Sequence, residues 1–266
     1  MTLAHISDVH FGRIRDDRIV RALTEDVNAH TCDVVLVTGD LTQRARVKQF
    51  REAKAWLSTL AAPALVIPGN HDVHAWWHRP DLRLLHPLRR YKRMITADLM
   101  PHFERPGLAV LGLNTAYGRT IKGGYCEKSH VSRIMRYFER LPRDTFKVIA
   151  VHHPLAEDPV LDHGLDVARG GEEVLDAAEH VGVNLVCGGH WHLSRVAPRG
   201  IGAYKVVIGL AGTAASDRWR APQRGVNSWH AIRVDKDRFV ITVRKYARFL
   251  GCFEFESEHK FRRSGV

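Results

Sequence analysis

Short runs of aliphatic and β-branched residues recur along the chain, at Leu3 to Ile6, Val34 to Val37, Ala64 to Ile67, Leu108 to Leu113, Val148 to Val151 and Val183 to Val186. Runs of this length bounded by turn-forming residues predict strands. Between several of them lie stripes with helical spacing. Ile19, Leu23 and Val27 repeat every four residues behind the acidic start Asp16-Asp17, and Phe50, Ala53, Leu57 and Leu60 repeat at three and four. Val131, Ile134, Met135, Phe138 and Leu141 form a third stripe; Val174, Leu175, Ala178 and Val181, closed by Gly182, form a fourth. Such spacings place one face of a helix on a sheet, and strands alternating with these helices predict an α/β fold with parallel strand pairs. From about Tyr204 the pattern changes to strands without helices, Lys205 to Leu210, Trp229 to Val234 and Phe239 to Val243, which predict antiparallel strands in a second sheet packed on the first.

Five of the apolar runs give way to short polar segments of distinctive composition. Ile6 leads into Ser7-Asp8-Val9-His10, Val37 into Thr38-Gly39-Asp40, and Ile67 into Pro68-Gly69-Asn70-His71-Asp72. Val151 leads into His152-His153-Pro154, and Val186 into Cys187-Gly188-Gly189-His190-Trp191-His192. In open α/β sheets the carboxyl ends of parallel strands share one edge, so groups far apart in the chain can meet there. Taken singly, Asp-x-His, Gly-Asp and Asn-His-Asp read as turns or polar loops, and His190-x-His192 as a core or surface pair. Five such fragments, each at a predicted strand end, make coincidence the poorer explanation. Asp8, His10, Asp40, Asn70, His152, His190 and His192 offer carboxylate, amide and imidazole groups without a thiolate, a set suited to Mn, Fe or Zn. Seven ligands exceed the needs of one ion but suit two divalent metal ions when a carboxylate bridges them. Two such ions clamp the attacking and leaving oxygens of a phosphoryl displacement, so hydrolysis of a phosphate ester is the expected reaction.

The chain has 266 residues, 45% of them hydrophobic and 26% charged, which excludes a disordered or collagenous chain and allows a sizeable core. No linker-like stretch divides it, so a single domain over 1–266 is expected, with motifs at 8–192 and completing strands at 204–245. Lys and Arg (40) outnumber Asp and Glu (29), giving a formal charge of +11 that attracts phosphate esters, nucleic acid or acidic membrane surface. The longest apolar stretch, Val206 to Ala215, is far short of the ~20 residues of a membrane span. With no basic or cleavable apolar segment at the N-terminus, a cytoplasmic protein without a transmembrane segment is expected. Cys32, Cys126, Cys187 and Cys252 lie apart and predict buried, reduced thiols.

The series Asp8-Val9-His10, Gly39-Asp40, Gly69-Asn70-His71-Asp72, His152-His153-Pro154 and Gly189-His190-Trp191-His192 resembles the signature of the calcineurin-like metallophosphoesterases. The resemblance implies an α/β fold of two packed mixed β-sheets flanked by helices, in four layers α/β/β/α. It assigns Asp8, His10, Asp40 and His192 to one metal and Asp40, Asn70, His152 and His190 to the other, Asp40 bridging. The paired ions are expected to acidify a shared water into the hydroxide that attacks phosphorus. Asn70 would stabilise the phosphoryl oxygens, and His71 would face the substrate, protonating or hydrogen-bonding the leaving oxygen.

Within that superfamily the segments around Asp40, Asn70 and His152 look most like the class III cyclic nucleotide phosphodiesterases, which implies a 3′,5′-cAMP-like substrate. A repair-type DNA nuclease and a UDP-diacylglucosamine pyrophosphatase are alternatives on the same fold, and a non-catalytic scaffold is another. A small phosphodiester or nucleotide is the expected partner ahead of nucleic acid, and a homo-oligomer is allowed. Gln43 stands where protein phosphatases carry a second aspartate, which argues against that branch and leaves Asp72 or substrate to orient His71. His153 competes with His152 as ligand, and Trp191 fills a slot often held by a smaller residue. Residues 74–93, with Trp76, Trp77 and six cations, read either as a substrate lid or as a solvated helix whose Leu82, Leu85 and Leu88 face the core or a dimer partner. His74 and His78 read as surface groups, and the basic residues from Arg244 to Arg263 as a solvated face and frayed tail.

Overall fold

In the computed structural model, which describes residues 1–77, 79–158, 166–199 and 206–263, the predicted alternation of strands and helices is present. β1 (Thr2–Ile6) leads to α1 (Asp17–Ala29), β2 (Val34–Thr38), α2 (Val47–Leu57) and β3 (Ala64–Ile67). Two short helices come next, α3 (Pro80–Leu85) and α4 (Arg89–Met94), then β4 (His102–Arg105), β5 (Leu108–Leu113), α5 (Lys128–Phe138), β6 (Phe146–Val151), α6 (Gly171–His180) and β7 (Leu185–Gly188). The chain continues through β8 (Arg195–Arg199), β9 (Val206–Leu210), β10 (Ser228–Val234), β11 (Arg238–Ala247) and β12 (Cys252–Arg262). α1 starts where the Asp16 side chain accepts the Arg18 N–H at 3.0 Å, an N-cap, and its Ile19, Leu23 and Val27 stripe is buried as the spacing predicts.

The strands form two six-stranded sheets, ordered β12-β11-β10-β1-β2-β3 and β4-β5-β6-β7-β9-β8. In the first, β1, β2 and β3 are parallel and β10 to β12 antiparallel; in the second, β5, β6, β7 and β9 are parallel between antiparallel edges β4 and β8. The apolar runs are continuous because both faces of the central strands are covered. Leu3, Leu36, Val148, Ala150, Ile232 and Ile241 share the interior between the sheets. Their neighbours Ala4, Ile6, Val35 and Val37 pack with Leu23 and Val27 of α1 and Phe50 and Ala53 of α2, while Ile149 and Val151 pack with Ile134 of α5 and Val174 of α6. The layers therefore run helix, sheet, sheet, helix, as the resemblance implies.

Several expectations are corrected. β7 begins two residues later than its apolar run suggested, β4 and β8 were not foreseen, and the strands expected as an antiparallel second sheet divide instead, β9 pairing parallel with β7 while β10 and β11 join the sheet of β1. The expected basic tail is instead β12, paired along β11 with Phe261 opposite Phe239 and Phe253 opposite Tyr246. Alternate side chains of β12 turn inward, which holds its charged neighbours in a strand. Residues 74–93 form neither one solvated helix nor a free lid: Leu88 is buried and Leu85 exposed. Arg83, read as part of a lid or of a solvated helix, is buried and donates to the carbonyls of Gly118 (2.9 Å) and His74 (2.7 Å). His74 is likewise buried, while His78, Tyr204 and Lys205 lie outside the described residues. Cys126 and Cys187 are buried and reduced, but Cys252 is exposed. Among the described residues no helix is long and apolar enough to cross a membrane.

Candidate metal centre

The carboxyl ends of β1, β2 and β3 meet those of β6 and β7 along one edge of the two sheets. The loops there are held in costly backbone conformations. Asp8 (φ 54°), His10 (53°), Asp40 (52°), His190 (69°) and His192 (57°) all lie in the left-handed region, five of the seven non-glycine residues that do so among those described. Each such residue costs on the order of 1–3 kcal/mol unless its surroundings impose it. Here they do: Asp8 N–H donates to Gly39 O (3.2 Å), His10 N–H to Asp40 O (3.0 Å) and Gly189 N–H to His152 O (2.9 Å). Gly39 has φ +88°, and a Cβ on it would meet His152 Nδ1 at 2.6 Å, so the close approach of these loops requires glycine.

Hydrogen bonds use up one side of each group and aim the other inward. Asp8 Oδ2 accepts from Ser7 Oγ (2.7 Å) and His190 N (2.9 Å), leaving Oδ1 buried without a donor. Asp40 Oδ1 accepts from His71 N (2.8 Å), and its Oδ2 is buried without a donor. His152 Nδ1 donates to Thr38 O (2.7 Å) and His192 Nδ1 to Arg218 O, which leaves the Nε2 lone pair of each ring facing the centre. His192 Nε2 lies 3.1 Å from Asp8 Oδ1 and 3.2 Å from His10 Nε2, and His10 Nε2 lies 3.5 Å from Asp8 Oδ1 and 3.6 Å from Asp40 Oδ2. On the other side, His152 Nε2 is 3.5 Å from Asp40 Oδ1 and 3.2 Å from Asn70 Oδ1, which in turn is 3.1 Å from His190 Nδ1.

Lone pairs thus crowd lone pairs in a buried site, an arrangement unfavourable by itself and satisfied by cations. Burial holds the His10 pKa down to about 3, so its ring is a neutral ligand. Burial works to raise the Asp8 pKa, yet His192 and His10 overcome it and keep the carboxylate ionised. Burial, and then the charge of Asp8, push Asp40 well above the usual carboxylate range. A cation between the two carboxylates removes that conflict. The seven predicted ligands are therefore together, and their donor chemistry fits divalent metal.

The open questions about neighbouring residues are answered by their partners. His153 also approaches His152 and His190, but Thr115 Oγ1 (2.7 Å) and Lys122 O (3.0 Å) engage both its ring nitrogens, which leaves the free lone pair to His152. His71 Nδ1 donates to the backbone carbonyl of Gln43 at 2.8 Å, which orients the ring without Asp72. Asp72 is buried and occupied by backbone donors instead. A cleft of about 270 Å³ opens over Asp40, Asn70, His71, His190 and His192. Its walls carry Arg83, one of the cations noted in residues 74–93, and Arg44, Lys122, Arg218 and Arg220, of which sequence reasoning singled out none. Arg218 and Arg220 lie beyond the β9 run, and applying the strand-end rule there would have found them.

A model of the calcineurin-like phosphoesterase family matches residues 1–194. The chain is 37% identical to the glycerophosphodiester phosphodiesterase GpdQ of Enterobacter lignolyticus over 101 residues, 33% of this chain and 34% of that one. It is 23% identical to a probable cyclic nucleotide phosphodiesterase of Synechococcus sp. over 249 residues, 89% of either chain. Its fold matches purple acid phosphatase PPD1 from yellow lupin seeds with a TM-score of 0.75 at 12% identity, over 99% of this chain and 54% of the lupin one. The matches thus span about a third of GpdQ and about half of the lupin enzyme. With the fold, the clustered acceptors and the family match in agreement, the chain belongs to the calcineurin-like phosphoesterase family.

Proposed function

We propose that the chain is a two-metal phosphodiesterase acting on nucleotides, with cyclic nucleotides as its substrate class. The observation that carries this reading is the set of buried, unpaired acceptor atoms facing one another across the two clusters. Asp8, His10, Asp40 and His192 would hold one ion, and Asp40, Asn70, His152 and His190 the other. The bridging role of Asp40 is supported by its two oxygens, Oδ2 being nearest His10 and Oδ1 nearest His152. Bound there, the ions supply Lewis acidity toward phosphoryl oxygen and toward water. The shared interior between the sheets supports taking the chain as one catalytic domain.

The chain's own residues do the rest. With Asn70 Oδ1 turned to His152 and His190, its amide N–H groups are left for a phosphoryl oxygen. With Nδ1–H fixed on Gln43 O, His71 presents Nε2 to the cleft. Burial, followed by the repulsion a proton on it would meet from His10 and Arg218, lowers its pKa well below the ordinary value, so the ring is neutral in the free protein. An arriving phosphate favours the protonated ring, which then directs its Nε2 proton to the leaving oxygen. Coverage of 89% of the probable cyclic nucleotide phosphodiesterase of Synechococcus sp. supports the substrate class. Hydrolysis of bis(p-nitrophenyl) phosphate should vanish on chelation and return with Mn²⁺; activity that survives thorough chelation overturns the two-metal reading.

A further inference from the structure

The protein does not balance the charges around the cleft. Arg44, Lys122, Arg218 and Arg220 line it, and Asp40 is the one carboxylate among its described lining residues. Several arginines elsewhere are paired with carboxylates, among them Arg13 and Arg15 with Asp217, Arg195 with Asp158 and Arg244 with Asp26. Among the described residues Arg44, Lys122, Arg218 and Arg220 have no such partner, and the fifth cleft cation, Arg83, is spent on the carbonyls of Gly118 and His74. Arg218 is the most telling. Its carbonyl receives the His192 Nδ1 hydrogen, which fixes its backbone beside the clustered ligands. Its half-buried guanidinium lines the cleft and makes no hydrogen bond to a described residue. Arg44 and Arg220 line the same cleft beside it. Three guanidiniums held near one another favour an anion between them.

A single diester carries one negative charge, for which the paired-cation centre suffices. The surplus lies on the wall, next to an exposed aromatic ring. Trp77 is 72% exposed, and the Arg44 guanidinium sits 4.9 Å from its ring centroid. An exposed indole beside a cation is a stacking platform for a nucleobase.

We propose that the cleft takes a nucleotide phosphodiester bearing a second phosphate, with Arg218, Arg44 and Arg220 gripping that second group and Trp77 stacking a base. This rests on the two-metal phosphodiesterase reading but moves its substrate from cyclic mononucleotides to dinucleotides, either cyclic or linear with a 5′-phosphate. A 3′,5′-cyclic mononucleotide has only its scissile phosphate and leaves the three arginines unused.

The test uses the whole chain and four ligands: a cyclic dinucleotide, a linear dinucleotide with a 5′-phosphate, the same dinucleotide without it, and 3′,5′-cyclic AMP. Binding is measured by calorimetry on chelated protein and KM on Mn²⁺-loaded protein. At least one two-phosphate ligand should bind about tenfold more tightly than its one-phosphate counterpart. R218A and R44A should each shrink that ratio, and R218K should restore part of it. A gain confined to the cyclic pair assigns the second phosphate to a closed ring, and a gain confined to the linear pair assigns it to a strand end. A ratio near one for both pairs, or a ratio unchanged in R218A and R44A, overturns the inference. Turnover of diesters without that ratio sinks this inference alone, whereas the ratio without any metal-dependent turnover sinks the phosphodiesterase reading alone.

Discussion

Asp72 stands next to His71 and two residues after Asn70, yet its carboxylate serves the backbone. It accepts from the N–H groups of Gly69 (3.0 Å), Leu41 (3.2 Å) and Thr42 (2.9 Å) and from the Thr42 hydroxyl (2.9 Å). It thereby ties the loop that carries Asp40 to the loop that carries Asn70. Asp72→Ala leaves these buried donors unpaired and should lower the unfolding free energy by about 3 kcal/mol, read as a fall in the urea midpoint. His71 differs, since removing its ring leaves every candidate ligand in place. His71→Ala should keep its metal content by elemental analysis while turnover slows most for poor leaving groups; equal slowing for good ones would count against a proton donor. The candidate ligands were legible because such sites demand particular side chains and these stood at strand ends. The Gln43 carbonyl was not, because every residue carries one, and Arg218 was lost among 40 cations.

At the scale of elements, α1 is fastened to the antiparallel half of its sheet through one side chain. Asp26 accepts from Trp229 Nε1 of β10 (3.0 Å) and from Arg244 Nε (3.0 Å) and Nη2 (2.6 Å) of β11. The Asp26 and Arg244 side chains are 14% and 18% exposed, so the pair is worth more than a surface bridge and less than a fully buried one. Asp26→Ala should destabilise the fold by about 2 kcal/mol, and Asp26→Asn by less, in denaturant unfolding. The parallel strands and their helices were readable because a strand covered on both faces is a solid apolar run. The edges were not. β8 and β12 present one wet face, and in β12 the signal reduces to alternation of Phe253 and Phe261 with charged neighbours, which a count of basic residues obscured.

For the molecule as a whole, the formal charge of +11 matters where it is unpaired. Arg44 and Lys122 at the cleft are exposed, so salt screens them readily. Raising the ionic strength from about 0.05 M to about 0.5 M should increase KM several-fold for two-phosphate substrates with little change in kcat. A KM indifferent to salt would remove the steering role of the cleft cations. The allotment of strands to sheets was the least legible feature. β1 pairs with β2 on one side and with β10 on the other, placing Thr2 opposite Arg233, and no local pattern announces a partner so distant in the chain.

That allotment has a mechanical side. Asp8, His10, Asp40 and Asn70 leave strands of one sheet, whereas His152 and His190 with His192 leave strands of the other. Each proposed ion would draw ligands from both, acting as a rivet through the seam of the sandwich. Stripping such ions would then do more than disarm the chemistry: it would unfasten one end of the joint between the halves. Amide hydrogen exchange at the ends of β1, β2, β6 and β7 would quicken in concert, while the outer helices hold their pace.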